Sequence, residues 1–173
     1  MVERAEFNPP AQQAPCPVPP EQQPLREYEQ LCRSWFFTWP ASGVPPLLRA
    51  LLLSWLVVLP LTLVVAGGSI PLQHDPPRLV AAGVVAALLL PLLLLLRQWL
   101  GWSYVHRRLV SERVEYEESG WYDGQVWEKP VSWRQQDLLV ARYQVSPVLQ
   151  RLGRGIALVA GLLLAGTGLC QAL

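Results

Sequence analysis

The chain has 173 residues, 14 Lys and Arg against 13 Asp and Glu, and 51% hydrophobic side chains. Arginines and glutamates alternate through its polar parts, which excludes the clustered basic surface that nucleic acid requires. Its three cysteines, Cys16, Cys32 and Cys170, match no zinc or redox spacing, and Cys170 reads as a small apolar packing residue.

The chain opens Met1-Val2-Glu3-Arg4-Ala5-Glu6 and continues rich in Pro and Gln. No basic region precedes an apolar run there, so no cleavable signal is expected, nor does the stretch resemble an Arg- and Ser-rich transit peptide. That composition points to a bacterial, plastid-encoded or mature chain. Residues 1–24 have no apolar period and are predicted to be extended or disordered unless docked.

From Leu25 the pattern changes. Leu25, Tyr28, Leu31, Cys32, Trp35, Phe36 and Trp39 recur at helical spacing behind Pro24, which predicts an amphipathic helix over 25–39. Its crowding with Trp and Phe suits a helix lying in a membrane interface, with packing against the later polar segment as the competing expectation.

Three apolar runs dominate the rest: Ala50 to Ala66, Leu79 to Leu96 and Ile156 to Leu173. About 18 apolar residues, rising about 1.5 Å each, cross most of a hydrocarbon core about 30 Å thick. Lipid leaves no partner for unpaired backbone groups, so each run is predicted to be a transmembrane helix. Gly67-Gly68, Pro71 and Pro76-Pro77 break the chain between the first two, which form a helical hairpin over 44–100. Most of the cations lie before Ala50 and between Arg97 and Arg154, so both polar segments are placed on the cytoplasmic or stromal side, with the N-terminus. Arg49 and Arg97, at span ends, are expected to snorkel to the headgroups.

Residues 101–146 make a small α+β segment. Alternation in Arg113 to Glu118, turn residues from Ser119 to Gly124, and an extended Gln125 to Glu128 predict a β-hairpin. Ser132 with Gln135 fits a capping box for a helix through Tyr143, and Ser146-Pro147 reads as the start of the last helix, 147–173. There Gly153, Ala157, Gly161 and Ala165 recur every fourth residue, a line of small side chains expected to face the first two spans closely. The fold class is therefore mainly α, with three transmembrane helices, an N-terminal amphipathic helix and a cytoplasmic hairpin-helix segment.

Site chemistry is sparse. The span centres carry no ionisable group, only Ser54, Thr62 and Thr167, whose hydroxyls can bond their own helix, and Pro60 and Pro91, which can kink it. A polar midplane would have marked a small transporter subunit. Glu115, Glu117, Glu118 and Asp123 lack the spacing of a calcium loop and read as a solvated face. His106 has no paired ligand for a tetrapyrrole or metal. No catalytic, cofactor or metal set is predicted, so a non-enzymatic role is expected; tetrapyrrole or metal handling, a transporter subunit, and an enzyme whose site is shared with a partner are the alternatives. Trp121, Tyr122, Asp123 and Trp127, carried on the hairpin, are the candidates for contact with a partner, a membrane protein complex, and membrane lipid is the expected surrounding.

The stretches Cys16-Pro17-Val18-Pro19, Gln22-Gln23-Pro24, Glu27-Tyr28, Ser34-Trp35-Phe36-Phe37 and Trp39-Pro40 resemble the opening of a cyanobacterial and plastid membrane protein family of unknown function. That family is described as conserved in the green lineage and diatoms, and its plastid-encoded copies as a hypothetical chloroplast reading frame of the thirty-six type. The resemblance continues through Tyr116 to Gln125, Trp127-Glu128-Lys129-Pro130, Tyr143-Gln144-Val145, Pro147 and Arg151-Leu152. It implies a multi-span protein of oxygenic phototrophs, in a thylakoid, plasma or plastid membrane, without an established activity or a catalytic residue to carry over. Assembly or maintenance of a photosynthetic complex is the role the lineage suggests.

Overall fold

The computed structural model describes residues 16–117 and 124–172. From Cys16 the N-terminal segment is docked rather than free: Val18 is buried against Val114 and Tyr116, and Gln23 donates through Nε2 to the Val18 carbonyl at 3.3 Å. A 3-10 turn, Pro20–Gln22, leads into α1, Pro24–Arg33. Pro24 is preorganised for the first turn, and Glu27 and Arg33 complement the helix dipole at its two ends.

The helix predicted over 25–39 ends at Arg33. Thr38 Oγ1 engages the carbonyls of Cys32 at 3.0 Å and Ser34 at 2.6 Å, and Pro40 offers no N–H to continue the ladder. A five-residue helix α2, Thr38–Ser42, follows, and Gly43 at φ 129° lets the chain turn into α3, Val44–Gly67.

After a single turn, α4, Ile70–Gln73, the chain returns through α5, Pro76–Ala87, and α6, Leu89–Val110. Asp75 caps α5 by accepting from the Arg78 N–H at 3.4 Å. The break at Leu88 has an identifiable cause: the Pro91 ring would meet the Ala87 carbonyl in an unbroken helix. Thr62 binds its own helix at Leu59 O, 2.9 Å, and also crosses to Gly83 O at 2.8 Å, while Trp55 Nε1 donates to Val84 O at 3.3 Å. These bonds join α3 to α5.

β1, Arg113–Glu117, and β2, Gly124–Glu128, pair antiparallel with Val114 opposite Trp127 and Tyr116 opposite Gln125. Then α7, Val131–Val140, a π-helical turn, Ala141–Val145, and α8, Ser146–Ala172, run as one continuous helix of 42 residues. Neither expected start signal acts as a cap. Pro130 occupies the N-cap of α7 without a side-chain bond, and Ser146 is helical, its N–H and Oγ both directed to Ala141 O, the hydroxyl at 3.0 Å. Widening the turn before Pro147 accommodates its ring and missing N–H, so the helix bulges instead of stopping.

The core lies on the α6/α8 seam, where Leu95, Trp102, Val105 and Leu109 pack with Val145, Val148, Leu152 and Val159. The close approaches of α8 run through Gly155 and Gly166, not through the expected line. A Cβ on Gly166 would lie 2.4 Å from Val85 Cγ2 and one on Gly155 3.3 Å from Leu95 Cδ2, whereas Gly153 and Gly161 have nothing within 4 Å. Ala157, Gly161 and Ala165 are exposed. The four-residue spacing marked small residues correctly, but the face turned to α5 and α6 is the adjacent one.

Three helical stretches are long and apolar enough to cross a membrane: Val44–Gly67, Pro76–Val110 and Val131–Ala172. The outer face of α3 shows why an apolar solvent suits it, for Val57 and Val64 are each 74% exposed.

Candidate functional site

The end of the molecule that gathers α1, the C-terminal half of α6, the hairpin and α7 carries nearly all of its polar chemistry. α1 does not stand apart from it. As the chain advances from Glu27 and Tyr28 of α1 to Phe36 and Phe37 just beyond it, its partners on α6 recede from Arg108 through Trp102 to Gln98 and Gly101. The two helices are therefore antiparallel neighbours, the packing that is the competing expectation for this amphipathic stretch. Tyr28 meets Trp102 edge to face, its hydroxyl donates to Gln144 Oε1, and burial together with a hydrogen bond to Cys32 pushes its phenol pKa up, which keeps it a donor.

Arg108 joins four elements. Its guanidinium pairs with Glu27 Oε1 at 3.0 Å and donates to Tyr104 Oη at 2.9 Å, Gln22 O at 2.8 Å and Glu115 O at 3.4 Å. Only a planar group with five donors serves so many acceptors at once. The Glu27 carboxyl is nonetheless raised above the usual carboxylate range, because burial outweighs the attraction of Arg108. Its second oxygen, Oε2, is buried and has no hydrogen-bond partner.

A second fastening lies beneath the hairpin. Lys129, 1% exposed, reaches Asp137 Oδ2 at 2.6 Å and the carbonyls of Arg108 and Leu109 at 2.9 and 3.2 Å. All three ammonium protons are thus used, and the last carbonyls of α6 receive a cation where the helix dipole favours one. Arg134 closes the same corner, donating to Lys129 O at 2.8 Å and pairing with Glu128 at 3.0 Å and Glu112 at 3.6 Å.

Two of the open surfaces among the described residues of this head bear on its chemistry. One is a groove of about 460 Å³ along the α1/α6 seam, with Glu27, Gln30, Leu31, Ser34 and Phe37 on one wall and Arg97, Leu100, Gly101, Tyr104 and Val105 on the other. The second is a largely apolar stripe on α7 and the π turn, with the exposed Gln135 and Arg142 set among its apolar side chains. Val131, Leu138, Leu139 and Tyr143 recur at helical spacing and are 66, 47, 59 and 70% exposed.

Trp121, Tyr122 and Asp123 lie outside the described residues. Trp127 is half-buried, stacked edge to face on Trp133 at 5.5 Å and packed beside Val114 and Tyr116, so its ring holds the hairpin to α7 instead of offering open contact. Glu115 is exposed, and Glu118, like Asp123, is not described. His106 meets Ser146 Oγ at 3.4 Å. Among the described residues no three His, Cys, Asp or Glu side chains converge to hold a metal ion. Sequence reasoning missed Lys129, Asp137 and Arg108 because nothing in a sequence pairs charges that meet only after folding, and it missed the α7 stripe although its spacing was legible.

The same architecture has relatives. A profile of proteins described as "Conserved in the green lineage and diatoms 27" matches residues 16–158. The chain belongs to the CGLD27-like family. It is 42% identical over 141 residues to the uncharacterized protein ycf36 of Pyropia yezoensis, covering 79% of this chain and 83% of that one. The ycf36 protein of Cyanophora paradoxa is 40% identical over 144 residues, 83% and 91% of the two chains. A chloroplastic member in Arabidopsis thaliana, named for the family, is 39% identical over 153 residues, which cover 85% of this chain and 47% of that longer one. No solved structure matches this CGLD27-like chain. The family match, residues 16–158, takes in the docked segment around Val18 and the polar head.

Proposed function

We propose that this CGLD27-like protein is a non-enzymatic, multi-pass membrane protein whose head docks and stabilises another membrane protein complex. The observation that carries the reading is the α7 stripe set against the length of its helix. Forty-two residues extend about 63 Å, about twice a hydrocarbon core of about 30 Å. With Arg151 and Arg154 marking the end of the apolar part, Val131 to Tyr143 stand clear of lipid. An uncovered row of Val131, Leu138, Leu139 and Tyr143 outside the bilayer fits the apolar face of a partner helix.

The fastenings of the head support the same role, because a preorganised surface loses less entropy on binding. In this reading the polar head and the N-terminus lie on the cytoplasmic or stromal side, which the distribution of arginines favours. Plastid relatives, one of them named chloroplastic, make a photosynthetic membrane complex the partner of choice. Trp121, Tyr122 and Asp123 extend the contact surface in this proposal.

The test replaces Leu139 and Tyr143 with Glu in a tagged protein purified from its native membrane in mild detergent. Both side chains are exposed, so unchanged melting with loss of the co-purifying complex is expected. Recovery of the same complex at wild-type yield overturns the reading.

A further inference from the structure

We propose that the groove between α1 and α6 is a binding site for one anionic membrane lipid with a hydroxyl-bearing headgroup. The groove is lined by apolar and polar groups in an order that suits such a molecule. Its wall on α6 runs Arg97, Leu100, Gly101, Tyr104 and Val105, and its other wall places Phe37 at the Arg97 end and Glu27 at the Tyr104 end. Arg97 sits where the apolar run of α6 gives way to polar sequence, the level at which headgroups lie if the run spans the bilayer.

Three observations point to the ligand. Arg97 is exposed, its guanidinium lies 5.4 Å from the centroid of the Phe37 ring, and no carboxylate of the described residues lies within salt-bridge distance of it. It is a cation with room for an anion, and Phe37 holds it in place. Above it the groove offers Ser34 and Gln30, polar side chains that can bond hydroxyls, and Glu27 lines its far end. A carboxyl group at that end disfavours a second phosphate there. Leu31, Leu100 and Val105 supply the apolar lining between them. An anion at one end, donors above it and apolar contacts along the way describe a phosphodiester or a free sulfonate on a headgroup bearing hydroxyls, and its acyl chains would continue beside α6 into the bilayer. The occupant is taken from the membrane because the groove opens at that level and its volume, about 460 Å³, suits a headgroup and not a whole protein segment.

The experiment uses the full chain reconstituted in nanodiscs containing equal phosphatidylglycerol and phosphatidylcholine of matched acyl chains. Lipids retained after extraction into detergent are counted by native mass spectrometry. Wild-type protein is expected to retain one phosphatidylglycerol in preference to phosphatidylcholine. Arg97→Gln is expected to lower that preference about fivefold, the equivalent of one basic contact to an anionic lipid, and Arg97→Lys to keep most of it. Ser34→Leu, which fills the groove without changing charge, is expected to lower retention as well. Arg78→Gln, at the other end of the same hairpin arm, is the control and leaves it unchanged. Equal retention by Arg97→Gln and wild type, or an equal loss in Arg78→Gln, overturns the proposal in favour of a diffuse lipid annulus. Displacement of the lipid by millimolar inorganic phosphate overturns it in favour of a small-anion site. Circular dichroism on each variant separates misfolding from loss of lipid, and a misfolded Arg97→Gln leaves Arg97→Lys and Ser34→Leu to decide. None of these readouts depends on the protein partner, so the lipid site and the docking surface fail separately.

Discussion

Lys129 and Asp137 form a buried ion pair at 2.6 Å, and the same ammonium ends the α6 helix by binding two of its last carbonyls. One side chain thus holds the strand end, α6 and α7 together. Removing either partner leaves the other charged and buried, so Lys129→Ala or Asp137→Ala is expected to destabilise the protein by about 3–5 kcal/mol. Replacing both, Lys129→Met with Asp137→Leu, is expected to recover much of that loss. Chemical denaturation in detergent, followed by tryptophan fluorescence, measures the cycle; additive single losses would mean the pair does not act as a unit.

Glu27 gives a pH dependence of opposite sign to the usual carboxylate. Its proton is held more tightly in the folded protein than in the unfolded chain, because burial raises its pKa against the pull of Arg108. The protonated form is therefore the stabilising one. Its contribution is full below the unfolded carboxyl value and is lost as pH rises through the folded one. Wild-type melting temperature is expected to carry a component that falls as pH rises above the ordinary carboxyl range, and Glu27→Gln is expected to lack it. Parallel slopes in the two proteins would contradict the assignment.

Glycine substitutions separate the two faces of α8. A Cβ at Gly166 would strike Val85, with Cγ2 at 2.4 Å and Cγ1 at 3.3 Å, and one at Gly83 would strike Leu63, including its Cα at 3.3 Å. Gly83→Val and Gly166→Val are each expected to cost about 1–3 kcal/mol by overpacking. Gly161→Leu, at a position where an added Cβ meets nothing within 4 Å, is expected to leave stability nearly unchanged. Thermal melts of the three variants in one detergent decide between them.

Topology is open to direct labelling. In a background lacking Cys16, Cys32 and Cys170, a cysteine at Ser69, between α3 and α4, and one at the exposed Val126 of β2 are expected to show opposite reactivity toward an impermeant reagent in sealed, oriented vesicles. Equal labelling would remove the three-span arrangement and the side on which the head is placed.

The long elements were legible because their signal is collective. Apolar runs such as Ala50 to Ala66 do not depend on one residue, and the alternation of Val114 and Tyr116 marked the buried face of β1. The errors fell where a local sign competes with packing. Ser146-Pro147 has the form of a helix start, yet a bulged continuation loses fewer hydrogen bonds than a break. The line from Gly153 to Ala165 was visible, but which side of a helix meets its neighbour is set by Leu95 and Val85 on other elements. Arg108, Lys129 and Asp137 looked like ordinary surface charges until folding brought Glu27 and the end of α6 beside them.

Because α7 and α8 share one axis, the apolar half of the chain and the head are mechanically one rod, with the π turn as its compliant joint. From Ser146 to Val131 the rod is about 22 Å long, so a tilt of about 10° in the bilayer would swing its tip by about 4 Å. The Tyr28–Gln144 bond clamps the joint and the Lys129–Asp137 pair clamps the shaft above it. With α8 in a bilayer as proposed, a tilt of the helix would load those two clamps and shift Leu138 and Leu139 with them.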